Sequence, residues 1–273
     1  MSTLETQFNR VVRTYEKLFF SAPVIQAARW QSTKAPADMV EVFNQSFSLD
    51  LEQQESLPIY REAIGPNLPW ADRHFEEERV SGEPINPGET WKIWPYSRAA
   101  AAHLKQGQYD HSYAERYWPK AAGTTPDGKL PKHPPLPGPC AGIRHEPGDL
   151  NDLVSVLVAD PLTRQAYLPI FYPEDVTGAL KSVRVPCTLG YHFIRRYDRL
   201  HVIYPMRSCD FVRHFRDDVY LTLRLLLWVL KQCRDRDPVA WRDVTPGTFR
   251  MHITSLHMFV PDRQALVSRM TGV

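Results

Sequence analysis

Residues 185–191 read VPCTLGY, and RSCD follows at residues 207–210. The first segment places a cysteine after a proline at the start of a β-rich run, and the second places an arginine near the end of the next β-rich run. The pair Tyr197-Asp198 between the two runs is typical of a hairpin turn, so we expect the two strands to pair. Such pairing would bring Arg207 close to Cys187.

Two interpretations of Cys187 are open at this point. Cysteine is among the residue types most often buried and unreactive, so an inert core residue is the default. A guanidinium beside the thiol would instead favour the thiolate, lower the pKa of the thiol and make it a nucleophile at neutral pH.

The composition predicts a globular protein without a strong electrostatic footprint. The chain has 273 residues, of which 43% are hydrophobic, enough for one large domain or two small ones. A formal charge of +2 gives no support for binding to nucleic acid or membranes. The cysteines are widely separated and form no CxxC, and no secretory signal is recognisable, so we expect reduced thiols in a cytosol-like compartment. They are Cys140, Cys187, Cys209 and Cys233.

Hydrophobic periodicity predicts a mixture of helices and strands, and hence an α+β fold. Helical spacing predicts helices over residues 4–20, 72–79 and 148–159, and a buried helix over 219–230, which is too short for the roughly 20 apolar residues of a membrane span. Period-two alternation and β-rich composition predict strands over residues 39–51, 164–172, 189–195, 200–206 and 251–260, the first kinked near Asn44.

The segment 119–147 is rich in proline, which removes amide donors and fixes φ. We therefore expect neither a helix nor a central strand there. An insertion within one domain is favoured, and a flexible spacer is the alternative.

Several polar residues have both a structural and a functional interpretation. Arg207-Ser208 suits a phosphate, but Arg207 could simply pair with Asp210 or Asp217. Arg164 could cap a helix or bind an anion. The Asp217-Asp218 pair would favour the start of the buried helix, although Asp218 could turn towards a pocket.

Read in order, four segments resemble the thymidylate synthase superfamily, and the spacing from Cys187 to RSCD is that of the family. The resemblance is closest to its cytidylate 5-hydroxymethylase branch, through PGETWKIW at residues 87–94, RDD at 216–218 and SLHMF at 255–259. It spans roughly residues 39–265. The four segments are DPLTRQAYLPIFYPED, VPCTLGYHFI, MRSCDF and PGTFRMHITSLHMF.

This resemblance implies a thymidylate synthase fold, with a mixed twisted sheet packed against helices and one sheet face forming a dimer interface. It also implies a single domain over residues 1–273, with an insertion at about 119–147.

The resemblance further implies roles for individual residues. Cys187 would attack C6 of a pyrimidine, with Glu76 as the general base, or His74 in an ungapped register. Asp218, where relatives that act on uridylate have asparagine, would select cytosine. The remaining implied contacts are Arg207 and Ser208 with the 5′-phosphate, Arg164 with the phosphate in the neighbouring subunit, His257 with the sugar, and Trp94 and Asp210 with a folate.

Two departures from the family pattern concern the phosphate and the sugar. The usual arginine pair is Arg164-Gln165, so a phosphate contact is missing or supplied by Arg29 or Lys34. Phe259 replaces a tyrosine that contacts the sugar, which leaves ribose and deoxyribose open.

The activity that the resemblance implies is C5-hydroxymethylation of CMP or dCMP by a homodimer in a bacterial or phage-infected cytoplasm. The one-carbon unit would come from 5,10-methylenetetrahydrofolate, and no metal, nucleic acid or membrane is expected. Alternatives are a methylase of the same nucleotide that uses hydride from the folate, a dUMP hydroxymethylase, and a catalytically silent nucleotide-binding homologue.

Overall fold

The structure is a computed structural model that describes residues 2–29, 36–122, 148–180 and 183–271. Within these residues a mixed sheet of six strands is ordered β1-β2-β6-β5-β4-β3. Only β5 and β6 run parallel to each other, and the other neighbouring pairs are antiparallel. The strands are β1 (Val24–Arg29), β2 (Pro36–Asp50), β3 (Tyr167–Pro169), β4 (Gly190–Arg196), β5 (Arg199–Asp210) and β6 (Thr245–Phe259).

Helices surround this sheet, and three of them exceed ten residues: α1 (Thr3–Ser21), α9 (Phe215–Arg236) and α11 (Val260–Thr271). A π-helix (His74–Arg79) and a 3₁₀ helix (Thr90–Ile93) lie between shorter helices. The shorter helices are α2 (Leu57–Ile64), α3 (Trp70–Arg73), α4 (Ser97–Ala101), α5 (Tyr113–Tyr117), α6 (Pro119–Ala122), α7 (Leu150–Ala159), α8 (Pro173–Leu180) and α10 (Pro238–Trp241). None of the helices in the described residues has the length and apolarity needed to cross a bilayer.

The core lies between α1, α9 and the sheet. Fourteen of the residues of α9 are buried, as expected for a helix that is apolar nearly all round. Phe8 and Tyr15 of α1 pack against Phe215 at the start of α9, with ring centroids 5.8 and 5.7 Å apart. This aromatic contact fixes the amino-terminal end of α9, where the acidic pair begins.

A kink in β2 changes which side chains of β6 are buried. Burial on β6 alternates through Phe249, Met251 and Ile253 and then shifts phase to Leu256 and Met258. The shift lies beside Asn44 on β2, whose φ of 54° is left-handed. The predicted kink near Asn44 is therefore confirmed.

Most predicted elements are confirmed, with the bounds given above. The predicted strand over 164–172 is wrong for most of its length, since only Tyr167–Pro169 pairs with β4, at the edge of the sheet. Pro169 and Pro173 lack amide donors, which restricts this segment to a short edge strand.

The proline-rich segment also needs one correction. Pro119–Ala122 forms a short helix, because proline in a first helical turn loses no intrahelical hydrogen bond. The rest of the expected insertion, residues 123–147, lies outside the described residues.

Candidate active site

A cleft with two adjoining lobes lies at the end of β5 and the start of α9. The first lobe has a cavity volume of about 210 Å³, and the second about 220 Å³. A shared wall lines both lobes and is formed by Trp94, Ala100, Arg184, Cys187, Ser208, Asp210 and His214. Sequence-predicted residues from separate parts of the chain thus meet in one place.

The pairing of Cys187 with Arg207 is direct. The Arg207 amide donates to the Cys187 carbonyl at 2.9 Å. The Arg207 guanidinium donates from Nε to the Pro186 carbonyl at 2.8 Å and from Nη2 to the Val185 carbonyl at 2.9 Å. These bonds hold Nη2 3.9 Å from the Cys187 sulfur, so a fixed positive charge faces a half-buried thiol. Such an environment favours the thiolate.

The other described cysteines lie in unreactive surroundings. Burial raises the pKa of the Cys233 thiol to about 12. Burial and the nearby Asp218 carboxyl also raise the pKa of Cys209 well above its ordinary value. Of these three thiols, only Cys187 combines partial exposure with an adjacent cation.

The salt bridges that could have explained Arg207 are not formed. Asp210 accepts hydrogen bonds at 3.0 Å from the amides of Val212 and Arg213, and it pairs with the Arg213 guanidinium at 3.1 Å. Asp217 accepts two bonds from Asn67, both at 2.8 Å. Both carboxylates are therefore engaged elsewhere.

Ser208 and His257 lie side by side on the parallel strands β5 and β6. Their Oγ and Nδ1 atoms are 3.3 Å apart, and both residues line the second lobe. Burial lowers the pKa of His257, so its imidazole is neutral at neutral pH. This pair supplies polar contacts beside the Arg207 guanidinium.

Asp218 faces the first lobe and is 9% exposed. Burial raises its pKa to about 7, although the Arg79 cation opposes the shift. The Cys209 thiol donates to its Oδ2 at 3.6 Å. Near neutral pH the side chain is thus available both as an acid and as a carboxylate.

The structure places Glu76, the residue expected to act as the general base, outside the cleft. Its side chain is 62% exposed and pairs with Arg224 at 2.6 Å, away from the cleft. Glu78, two residues later and hence on the opposite side of the turn, lines the first lobe. Residues 74–79 form a π-helix, closed by the bond from the Val80 amide to the Phe75 carbonyl at 3.1 Å.

Both oxygens of the Glu78 carboxylate are hydrogen-bonded. Oε2 is 2.9 Å from His74 Nδ1, while Oε1 accepts from the Thr90 amide at 2.9 Å and the Thr90 hydroxyl at 2.5 Å. Burial disfavours the charge of Glu78, but these bonds outweigh it and hold the pKa of Glu78 below its ordinary value. The other register considered, His74, also lines the first lobe, as a partner of Glu78.

An aromatic ladder of four rings borders the first lobe. His74 stacks on Trp70 at 4.9 Å, Trp70 lies 5.7 Å from Trp94, and Trp94 stacks on His214 at 4.9 Å. Burial lowers the pKa of His214 to about 4, so that ring is neutral. The ladder gives this side of the first lobe an aromatic lining, which suits a planar heterocycle.

Arg164 lies outside both lobes. It is exposed on the segment before β3, and its carbonyl oxygen is 3.0 Å from His192 Nε2. Lys34 and the side chain of Arg29 lie outside the described residues, so the structure does not test them.

Three arginines in the cleft, Arg79, Arg184 and Arg213, were not found from the sequence. Arg184 lines both lobes, and its backbone is held by Asp110, which accepts from its amide at 2.9 Å, and by His111, 3.1 Å from its carbonyl. Arg79 lines the first lobe and is only 4% exposed. The feature of the sequence that could have identified Arg79 as a cleft residue is its position directly after Glu78.

Comparison with solved structures shows which fold this is. The structure matches a thermostable thymidylate synthase A from Bacillus subtilis with a TM-score of 0.60 and 12% identity, over 98% of this chain and 84% of that chain. The fold is that of thymidylate synthase. The predicted α+β thymidylate synthase fold is confirmed by this match. A scan against family models finds no match, and no curated protein matches the sequence.

Proposed function

We propose that this protein transfers a one-carbon unit to C5 of a pyrimidine nucleotide, and specifically that it hydroxymethylates CMP or dCMP. The observation that carries the proposal is the Arg207 guanidinium, held 3.9 Å from the Cys187 sulfur in a cleft that also contains Asp218. The thymidylate synthase fold is consistent with this activity.

In this proposal Cys187 attacks C6 of the pyrimidine. A bond from sulfur to C6 moves electron density to C5, which becomes an enamine-like nucleophile. Arg207 favours the thiolate, and with Ser208 it holds the 5′-phosphate in the second lobe. His257, hydrogen-bonded to Ser208, lies where it can contact the sugar.

Asp218 would select cytosine over uracil. Cytosine presents an amino donor at C4 and an acceptor at N3, so a protonated carboxyl can donate to N3 and accept from the amino group. A pKa of about 7 makes this protonated form available at neutral pH. Uracil presents N3–H and O4 and would need the carboxyl proton on the other oxygen. We propose that the Cys209 thiol, which donates to Oδ2, keeps the proton on Oδ1, so that uracil would leave one of these pairs mismatched at a cost of about 1–3 kcal/mol.

The residues of the first lobe fit a folate. The ladder of His74, Trp70, Trp94 and His214 offers flat rings for a pterin, and Asp210 lies on the shared wall. Methylenetetrahydrofolate would supply the one-carbon unit, and we propose Trp94 and Asp210 among its contacts.

We propose Glu78, in place of Glu76, as the general base. Its carboxylate faces the first lobe, and the hydrogen bonds that it accepts lower its pKa, so that the ionised form is favoured. In that state it can take up the C5 proton and then orient the water that completes the hydroxymethyl group.

Arg164 is proposed to act across a dimer interface. It is exposed and does not line its own cleft, and the sheet carries the exposed side chains of Arg250, His252 and Thr254. A second copy packed on this face could bring Arg164 to the phosphate of its partner.

The test is incubation with CMP, dCMP, UMP or dUMP and methylenetetrahydrofolate, followed by mass spectrometry of the nucleotide. A hydroxymethyl product from a cytidylate supports the proposal. A methyl product would indicate the methylase, and turnover of uridylates alone would contradict the role of Asp218. If no nucleotide is converted, the enzyme interpretation fails and a silent nucleotide-binding homologue remains.

A further inference from the structure

A chain of hydrogen bonds runs from a buried arginine to the carboxylate of Glu78. Arg79 Nε donates to His74 Nε2 at 3.0 Å, and His74 Nδ1 is 2.9 Å from Glu78 Oε2. The far oxygen of Glu78 is held by Thr90. All three charged or titratable side chains line the first lobe.

The π-helix explains how one turn supplies all three groups. A π-helix is wider than an α-helix, so residues i, i+4 and i+5 can face the same side. His74, Glu78 and Arg79 have this spacing, and they meet on the side that faces the cavity.

The direction of the hydrogen bonds fixes the tautomer of His74. A guanidinium can only donate, so Nε2 of His74 must be an unprotonated acceptor. The proton of a neutral imidazole must then be on Nδ1, where it is donated to Glu78. Burial and the Arg79 charge lower the pKa of His74, consistent with the neutral ring.

Arg79 itself is held rigidly. It is 4% exposed, its guanidinium carbon lies 4.3 Å from the centroid of the Tyr113 ring, and Nη1 is 3.5 Å from the Tyr117 hydroxyl. The Tyr113 hydroxyl is in turn 2.9 Å from Thr188 Oγ1, next to Cys187. The cation therefore has aromatic and imidazole partners, and no carboxylate of the described residues lies within salt-bridge distance of it.

We propose that His74 and Arg79 are positioning residues that hold Glu78 ionised and aimed into the first lobe, with Arg79 setting the His74 tautomer. The catalytic consequence rests on the proposed function, whereas the tautomer does not. Other groups that face Glu78 are Thr90 on the 3₁₀ helix and, across the cavity, Tyr109, Asp217 and Asp218.

The first experiment reads the tautomer directly in the full chain, by ¹⁵N NMR with labelled histidine. In the wild type we expect His74 to be protonated at Nδ1 and unprotonated at Nε2. Arg79→Met removes the donor and should shift the two signals towards a mixture of tautomers. A His74 ring protonated at Nε2, or at both nitrogens, near neutral pH would overturn the proposal.

The second experiment separates positioning from packing with two variants of His74. His74→Phe keeps a ring to stack on Trp70 but loses both hydrogen bonds. His74→Asn loses the stack, yet its amide can accept from Arg79 and donate to Glu78. We expect kcat to fall at least tenfold in the Phe variant, and to be largely retained in the Asn variant, because general acid–base catalysis contributes on the order of 10²–10⁴ and a mispositioned base loses part of it.

The pH profile gives a further readout. His74→Phe removes a bond that favours the ionised Glu78, so the acid limb of kcat/KM should move to higher pH by about one unit. Wild-type activity and an unmoved acid limb in this variant would contradict positioning by His74. If the wild type converts no pyrimidine nucleotide but shows the expected His74 signals, the proposed function fails while the hydrogen-bonded chain stands.

Discussion

Arg207 contacts Cys187 through both its backbone and its side chain: its amide donates to the Cys187 carbonyl at 2.9 Å, and its guanidinium lies 3.9 Å from the sulfur. The strand pairing therefore sets the distance between the thiol and the charge. A flexible arginine on a loop would not give the same fixed geometry.

This geometry predicts selective alkylation of Cys187. Removing the cation in Arg207→Met should raise the pKa of the thiol by about one unit or more, and slow its reaction with iodoacetamide at neutral pH about tenfold. Peptide mass spectrometry would follow the three described cysteines, with Cys233 as the internal control. Equal labelling of Cys187 and Cys233 in the wild type would argue against an activated thiol.

Base choice is predicted to change in Asp218→Asn. An asparagine amide can donate to O4 and accept from N3–H, so the kcat/KM ratio of cytidylate to uridylate should fall by about 10- to 100-fold. Asp217→Asn is the matched control, since Asp217 is bound to Asn67 and should leave this ratio unchanged. An unaltered ratio in Asp218→Asn would remove Asp218 from base recognition.

The raised pKa of Asp218 also predicts how the stability of the protein depends on pH. The folded-state pKa of Asp218 is raised to about 7, from an ordinary value of 3.8. The protonated Asp218 therefore adds its full contribution to the free energy of unfolding below pH 3.8. This contribution is lost as pH rises towards 7, because ionisation of the carboxyl in the buried site is unfavourable. At pH 8 we expect Asp218→Asn to be more stable to urea than the wild type, by about 2–4 kcal/mol. A loss of stability at that pH would show that the folded state favours the charged carboxylate.

The close approach of Gly88 to Glu78 allows a test of whether activity depends on the position of the Glu78 carboxylate. A methyl group built on Gly88 would overlap the Glu78 carboxylate. Gly88→Ala should therefore displace Glu78 and lower kcat by about tenfold or more. Gly178→Ala, in helix α8 with ordinary contacts only, is the control and should keep its activity. Wild-type kcat in Gly88→Ala would mean that Glu78 need not hold this position.

We predict that Arg184 makes an additional contact with the phosphate of the nucleotide. Its side chain lines both lobes beside Cys187, and the chain has Gln165 where an arginine was expected. Arg184→Leu should weaken binding of the nucleoside monophosphate by about 10- to 100-fold, and binding of the uncharged nucleoside far less. Isothermal calorimetry would compare it with Arg199→Leu, which breaks only a surface pair with Asp50. Equal losses for nucleotide and nucleoside would exclude a phosphate contact.

The sequence was most informative where local pattern and pairing coincide. The hairpin at Tyr197-Asp198 was predictable from its turn, and the register of its strands then places Arg207 beside Cys187. The amphipathic opening helix was predictable from periodicity, because burial on one face imposes it, and the buried helix was predictable from its continuous apolar run.

The structure places Glu78 in the cleft, whereas the resemblance pointed to Glu76. These residues are two positions apart and point to different faces of the π-helix, so an alignment shifted by two residues selects the face turned away from the cavity. Single π turns have no clear sequence signal. Thr90, which fixes Glu78, comes from a separate segment and could not be paired with it from sequence spacing alone.

Buried arginines were also beyond sequence analysis. Arginine is usually exposed, so Arg79 and Arg184 look like surface residues until tertiary contacts are known. Arg79 is identified by its contacts with His74 and the Tyr113 ring, which come from different elements.

The central claim is that Cys187 forms a covalent bond to C6 of a cytidylate, and a 5-fluorinated nucleotide tests it most directly. Fluorine replaces the proton that must leave C5, so the complex should stall with the sulfur still bound. Intact-protein and peptide mass spectrometry after incubation with 5-fluoro-dCMP or 5-fluoro-CMP and methylenetetrahydrofolate should find an adduct on Cys187, absent in Cys187→Ser. No adduct with either nucleotide, or an adduct on another cysteine, would contradict the account.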